Sequence, residues 1–134
     1  MEQQLKIGVV IVDEYSTFAH NYLTATIESL RALGCSEQNI LLRHSPRVYN
    51  ATMVTQFFAE YTDVDAVVIL CPSADSPEYR AMLDGVTKLQ IAWNMPVCIG
   101  DCTAAAEAAE MVRMQNEMEA AAPEQIAQDR KAIN

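Results

Sequence analysis

The stretch Lys6-Ile-Gly-Val-Val-Ile-Val12 is apolar and largely β-branched, and it is the first of four such runs. The other three are Ile40–Leu42, Ala66–Leu70 and Val97–Ile99. A polar loop and then residues at helical spacing follow each run. Strands that are apolar on both faces are typical of a parallel sheet covered by helices on both sides. The pattern therefore predicts an α/β fold whose loops meet at one edge of the sheet, where such sheets bind ligands.

Local signals mark the helices between these strands. Apolar residues recur at helical spacing from Phe18 to Leu30, and Gly34 follows in the position that commonly ends a helix. Ser76 and Pro77 form a strong start signal, because serine caps a helix and proline fits its first turn. We expect the helix after them to reach about Trp93.

The alanine-rich segment that begins at Thr103 predicts one more helix. Pro123 is expected to end it at about Ala122, because proline lacks the N–H that a helix interior needs. Residues 124–133 are then predicted to form a shorter final helix. The length of 134 residues and the absence of a linker predict a single domain over residues 1–134.

Composition limits the kinds of partner. The net charge is −9 and only nine residues are basic, which disfavours nucleic acid and acidic membranes as partners. No apolar run approaches the ~20 residues of a membrane helix, and the polar N-terminus does not resemble a signal peptide. We therefore expect a cytoplasmic protein. The four cysteines lack a metal-binding spacing, so we predict free thiols and no metal site.

Several segments resemble the lumazine synthase family. They are Lys6–Val12, Thr24–Leu30, Ser36–Ile40, Ser45-Pro46, Val64–Ile69 and Met95–Gly100, continuing to Arg113. The resemblance covers nearly all of the chain except the final helix. It implies a flavodoxin-like three-layer sandwich with a four-stranded parallel sheet. It also implies a homo-pentamer, or a larger assembly such as an icosahedral shell, with the active site between subunits.

The resemblance further implies a place in riboflavin biosynthesis. The family condenses 5-amino-6-ribitylaminouracil with 3,4-dihydroxy-2-butanone 4-phosphate, without cofactor or metal. In the family an aromatic residue after the first strand stacks on the pyrimidine. Glu14 stands at that position here, and Tyr15 beside it is the candidate replacement. After the second strand, Tyr49 and Asn50 match the substrate-binding aromatic and carboxylate positions, the latter without its charge.

The loop after the third strand departs further from the family pattern. Glu78 falls on the family's proton-transferring histidine, and Ser76 precedes it as a candidate substrate contact. An exposed glutamate is ionised at neutral pH and makes a poor acid. Asp75 and Glu78 would also repel a phosphate that approaches this helix start.

The remaining candidates are spread along the chain. Ile99 and Thr103 complete the substrate-binding set that the resemblance implies. Arg113 falls on the family's phosphate-binding arginine, although it could instead pair with Glu110 or Glu117 on its own helix. His44 is a weaker alternative for proton transfer, because it ends the second strand at the loop edge.

Three functions stay open on the sequence. The first is a diverged lumazine-synthase-like protein that assembles with itself and has lost or changed the chemistry. The second is a working synthase with relocated groups. The third is a monomeric flavodoxin-like signalling or flavin domain. For the first two, the expected partners are other copies of the chain and a small phosphorylated or pyrimidine-like ligand.

Overall fold

Strands and helices alternate along the chain, and the computed structural model describes residues 4–133, with side chains as far as Glu124. The strands are β1 (Ile7–Val12), β2 (Ile40–Ser45), β3 (Ala66–Leu70) and β4 (Val97–Gly100). The helices are α1 (Ser16–Ala32), α2 (Ala51–Tyr61), α3 (Pro77–Trp93) and α4 (Thr103–Ile133). Single 3-10 turns lie at Asp13–Tyr15, Glu37–Asn39 and Val48–Asn50. All four strands predicted from the apolar runs are present.

The four strands form one parallel sheet in the order β2-β1-β3-β4. Strand β1 is central, with Ile7 opposite Ile40 on one side and Ala66 on the other. Every residue of β1 and β3 is buried, as the two-sided apolar pattern requires. The predicted α/β fold with a four-stranded parallel sheet is confirmed.

Helices cover both faces of the sheet and create two core clusters. Leu30 of α1 and Ala105 and Ala108 of α4 pack on the face that carries Val9 and Val68. The opposite face carries Val10, Val12 and Ile69 and packs against α2 and α3 through residues such as Phe58, Met82 and Val86. The molecule is therefore the expected flavodoxin-like three-layer sandwich.

The predicted helix start at Ser76 and the predicted helix end at Gly34 are confirmed. The Ser76 hydroxyl accepts a hydrogen bond from the Tyr79 N–H at 3.1 Å, and Pro77 is the first residue of α3. Gly34 adopts a φ of +97°, and the Cys35 N–H donates to the Leu30 carbonyl at 2.9 Å. A glycine with positive φ, followed by a residue whose N–H bonds back to a carbonyl of the last turn, is the Schellman motif that ends many helices.

The predicted break at Pro123 is wrong. Helix α4 runs without interruption from Thr103 to Ile133, with Pro123 inside it, so residues 124–133 are not a separate helix. A proline removes one helical hydrogen bond and crowds the preceding turn, but it does not forbid a helix that neighbouring bonds sustain. Among the residues described, no helix is long and apolar enough to cross a bilayer.

Candidate functional site

The carboxyl ends of all four strands lie at one edge of the sheet, because the strands are parallel. The loops after Val12, Ser45, Leu70 and Gly100 therefore form a common surface. Past the last paired residues, the Cys71 N–H donates to the Gly100 carbonyl at 3.2 Å and holds the ends of β3 and β4 together. This edge carries most of the predicted site residues.

The loops after β1 and β2 are joined by two side chains. His44 Nδ1 lies 2.7 Å from Asp13 Oδ1, and both side chains are exposed. The Glu14 carboxylate accepts a hydrogen bond from the backbone N–H of Val48 at 2.9 Å. An aspartate on one imidazole nitrogen orients the ring and directs proton exchange to the other nitrogen. His44 thus has the geometry of a positioned proton-transfer group.

The two candidate stacking tyrosines are in different environments. Tyr15 is half-buried and packs against the core cluster beneath α2 and α3, so part of its ring is covered. Tyr49 is exposed, and the Arg47 guanidinium lies 5.1 Å from its ring centroid in a cation–π contact. Asn50 is half-buried just before α2. Of these residues, Tyr49 offers the more accessible ring to a ligand.

The loop after β3 presents acidic groups at the start of α3. Glu78 is exposed in the first turn of α3. Asp75 binds Arg80 at 2.6 Å, and the Ser76 hydroxyl already accepts the Tyr79 N–H. A helix N-terminus attracts anions through its free N–H groups and dipole. Here nearby carboxylates compete with any bound phosphate.

Cys71 lies beneath these loops as a buried thiol. Burial, and secondarily the charge of Glu14, raises the pKa of Cys71 to about 11. The pKa of Tyr79 is also raised, first by burial and then by Cys71. Because the reactive form of cysteine is the thiolate, this thiol is a poor nucleophile at neutral pH.

The turn after β4 is organised by Asp101. Its carboxylate accepts hydrogen bonds from the Thr103 N–H at 2.9 Å and from Thr103 Oγ1 at 2.7 Å. The backbone bond and then the hydroxyl bond lower the pKa of Asp101. Thr103 is the first residue of α4, and Ile99 is half-buried against the core. The Thr103 hydroxyl proton is therefore engaged within the chain.

Arg113 is separated from the other candidates. Arg113 is ten positions after Thr103 on the same helix, which places it about 15 Å along α4 from the loop edge. Its guanidinium bonds to both Glu110 and Glu117, and these contacts raise the pKa of Arg113. The alternative pairing on its own helix is the one that the structure contains.

Sequence reasoning missed three acidic residues that organise the edge, namely Asp13, Glu14 and Asp101. Asp13 and Asp101 directly follow strands and Glu14 comes one residue later, which is a signal that the sequence does carry. Their partners depend on the strand order, because β2 must lie beside β1 for His44 to reach Asp13. In the described part of the chain, no three histidine, cysteine or acidic side chains are grouped to hold a metal ion.

Three curated proteins similar to the chain are 6,7-dimethyl-8-ribityllumazine synthases. The protein from Porphyromonas gingivalis is 25% identical over 107 residues, which cover 75% of this chain. The proteins from Bacteroides fragilis and Parabacteroides distasonis are 26% and 22% identical, each over 72% of the chain. The chain spans 66%, 71% and 64% of the respective relatives. No protein-family profile matches the chain.

The sequence similarity and the observed fold agree with each other. The similarity to all three relatives extends over about three quarters of the chain. The parallel sheet with order β2-β1-β3-β4 and helices on both faces is the fold expected from that similarity. The chain is therefore similar to lumazine synthases both in sequence, over about three quarters of its length, and in fold.

Proposed function

We propose that this protein assembles with itself, retains the ligand-binding edge of the lumazine synthase fold, and does not catalyse lumazine formation at an ordinary enzyme rate. We also assign it to the cytoplasm. The observation that carries the proposal is the acidic start of α3, where Asp75 and Glu78 stand in the loop that would receive the substrate phosphate.

Electrostatics at this loop argue against phosphate binding. Arg80 is the basic residue in the first turns of α3, and Asp75 binds it at 2.6 Å. A phosphate would have to displace a carboxylate from Arg80 while it approached the charge of Glu78. Like charges at close range disfavour binding, and nearby solvent only partly screens them. A pyrimidine-like ligand that stacks on Tyr49 suits this edge better than a phosphorylated one.

Arg113, the other basic residue considered as a phosphate ligand, supports the same conclusion. Arg113 is bound by Glu110 and Glu117 on its own helix, so contact with a phosphate would replace existing charge-assisted bonds. Glu78 is exposed and lies where the family resemblance places a histidine. An exposed carboxylate is ionised at neutral pH and is a weak proton donor.

The experiment is a substrate-mixing assay. The purified protein is mixed with 5-amino-6-ribitylaminouracil and 3,4-dihydroxy-2-butanone 4-phosphate, and the absorbance of the lumazine product is followed. The synthase from Bacteroides fragilis serves as the positive control. We expect formation at the uncatalysed rate, while light scattering shows a species heavier than the 14.8 kDa chain. Turnover comparable to the control would refute the loss of chemistry.

A working synthase with relocated groups is the second candidate, and the contact between His44 and Asp13 favours it. This pair could move protons at the loop edge in place of the family histidine. If turnover is seen, His44→Asn should reduce kcat by about 10²–10⁴-fold, the usual contribution of a general acid–base group. Asp13→Asn should lower it less and shift the pH profile, whereas an unchanged rate in both variants would exclude the pair.

A further inference from the structure

A polar cavity lies at the edge of the sheet opposite the loops of the candidate site. Asp65 directly precedes β3 and Met95 comes shortly before β4, so the cavity lies where the amino ends of these two strands meet. Trp93 of α3 and Val112, Asn116 and Glu119 of α4 also line it. We call it the amino-end cavity. Its volume is about 290 Å³, which suits a small ligand, since small-molecule sites typically measure about 300–1,000 Å³.

The charged side chains of the amino-end cavity are both carboxylates. They are Asp65 and Glu119, and among the residues described no basic side chain lines the cavity. The Asp65 carboxylate is held in place, because the backbone N–H of Lys6 donates to its Oδ2 at 2.9 Å. The Lys6 ammonium forms its ion pair with Asp63, at 2.5 Å. The cavity therefore has a negative lining with one carboxylate fixed by the backbone.

Two helix ends add to this negative character. Helix α2 ends at Tyr61 and α3 ends at Trp93, and Ala59 and Trp93 from these last turns line the cavity. The last carbonyls of a helix have no helical N–H partner, so a helix C-terminus carries a partial negative charge and attracts cations. Both helix ends and both carboxylates thus favour a positively charged ligand.

Trp93 gives the cavity an aromatic wall. Its side chain is 43% exposed, and an indole face attracts cations more strongly than the other aromatic rings do. Met95 and Val112 are buried and add apolar surface. The Gln115 amide donates to the Asn94 carbonyl at 2.8 Å and ties α4 to the end of α3. An apolar stem and a charged head can therefore both find partners here.

The lining fits an organic cation better than a metal ion. A bound metal ion needs several ligands at short range, and in the part of the chain with described side chains no three acidic, histidine or cysteine residues are grouped for this. Asp65 and Glu119 belong to different segments of the chain, and apolar side chains accompany them. Ammonium groups donate up to three hydrogen bonds each and suit such separated acceptors.

We propose that the amino-end cavity binds a small alkylammonium ion, a primary amine or diamine with a short carbon chain. Its ammonium groups donate to the carboxylates of Asp65 and Glu119, and its carbon chain packs against Met95 and Val112 beside the Trp93 ring. This site lies at the other end of the sheet from the loop edge. The inference goes beyond the proposed function and does not depend on it.

Titration with 1,4-diaminobutane at neutral pH tests the proposal. Trp93 is the single tryptophan of the sequence, so its fluorescence reports on this cavity alone. We expect a saturable change in fluorescence and a matching binding isotherm in titration calorimetry. The uncharged 1,4-butanediol has the same carbon chain and should give no saturable signal. Sodium chloride at equal ionic strength accounts for general screening of charge.

Two conservative variants locate the site. Glu119→Gln and Asp65→Asn each remove one charge and should weaken diamine binding about tenfold, the effect of losing one charge-assisted hydrogen bond. The amide in Asp65→Asn still offers an oxygen to the Lys6 N–H, so the fold should persist, which circular dichroism checks. Glu124→Gln is the matched control, because it makes the same change at an exposed position of α4 outside the cavity. It should bind the diamine like the unchanged protein.

Three results would overturn the inference. One is the absence of saturable binding in both fluorescence and calorimetry. Another is an equal loss of affinity in Glu124→Gln and Glu119→Gln, which would assign binding to the general charge of the protein. The third is a change of mass in light scattering when the diamine is added, since the fluorescence would then report on assembly. The substrate-mixing assay uses no diamine, so its outcome is independent of all three.

Discussion

The Glu14 carboxylate accepts a hydrogen bond from the backbone N–H of Val48 at 2.9 Å, across 34 residues of chain. Val48 is buried, so this donor has little access to water as an alternative partner. The bond fixes the loop after β1 against the loop after β2. The Glu14 carboxylate, which the family resemblance aligns with a substrate-stacking position, is thus engaged with the backbone of its own chain.

Removal of that acceptor should destabilise the protein. Glu14→Ala leaves a buried N–H without its partner, and such a loss costs about 1–3 kcal/mol. Urea denaturation should show a lower free energy of unfolding by that amount. Glu14→Gln keeps an oxygen acceptor and should lose less. Equal stability of all three proteins would mean that the bond contributes nothing in solution.

At Gly8, close packing leaves no room for a side chain. A Cβ added at Gly8 would lie 2.8 Å from Cδ1 of the Phe58 ring, closer than side-chain carbons normally approach. Both residues belong to rigid elements, β1 and α2. Gly8→Ala should therefore lower the free energy of unfolding by about 1–3 kcal/mol, as overpacked cores do. Chemical denaturation is the measurement.

A double-mutant cycle provides the control for Gly8. Phe58→Leu removes the ring that the new methyl group would meet. The loss in Gly8→Ala/Phe58→Leu should then be smaller than the sum of the two single losses, because contacting residues couple. Additive losses would show that the clash is relieved elsewhere.

Because the thiols of Cys71 and Cys98 are buried, we expect the free energy of unfolding to fall in alkaline solution. Burial raises the pKa of Cys71 to about 11 and that of Cys98 to about 12 in the folded protein, against 9.0 when unperturbed. Above pH 9 the unfolded thiols lose protons that the folded thiols keep, so ionisation favours unfolding. Between pH 9 and 10 each thiol should reduce the free energy of unfolding by about 1 kcal/mol.

Urea titrations at pH 8 and pH 10 measure this effect. Cys71→Ala should show a smaller drop between the two values, although its stability at pH 8 is also lower because a buried sulfur is lost. Cys102 is half-exposed and serves as the comparison, since Cys102→Ala should keep the full drop. If the free energy of unfolding falls equally between pH 8 and pH 10 in the unchanged protein and in both variants, groups other than Cys71 cause the fall.

Pro123 should limit the stability of α4. Proline inside a helix costs about 3 kcal/mol relative to alanine. Pro123 is exposed, so its replacement disturbs no core contact. Pro123→Ala should raise the thermal unfolding midpoint and the helical signal in circular dichroism. The opposite control, Ala121→Gly, should lower both, and a lower midpoint in Pro123→Ala would indicate a specific role for the proline.

The order of elements could be predicted because it depends on short-range patterns. Apolar runs such as Val64–Leu70 have the composition of buried strands, and Ser76-Pro77 and Gly34 fix helix ends through their own backbone preferences. The same local reasoning failed at Pro123. There the intrinsic preference of one residue is outweighed by the hydrogen bonds of a long helix around it.

The candidate site was less predictable, because its contacts are long-range. That Arg113 pairs with Glu110 and Glu117 was foreseeable from spacing alone, since residues three and four apart share a helix face. The start of the last helix at Thr103 was predicted from the sequence, but the carboxylate that accepts the Thr103 N–H belongs to Asp101, which was not assigned a role. The site assignments taken from the family resemblance remain predictions.

Local chain chemistry alone was enough to define the strands, most helix ends and the acidic character of the loop after β3. Only the folded arrangement brought His44 to Asp13, Glu14 to Val48, and the Gly8 backbone to the ring of Phe58. Each pair is separated by 31 or more residues, and its contact depends on β2 and α2 packing beside β1. Hydrophobic periodicity specifies which face of an element is buried, whereas the partner across that face is set by how the layers stack.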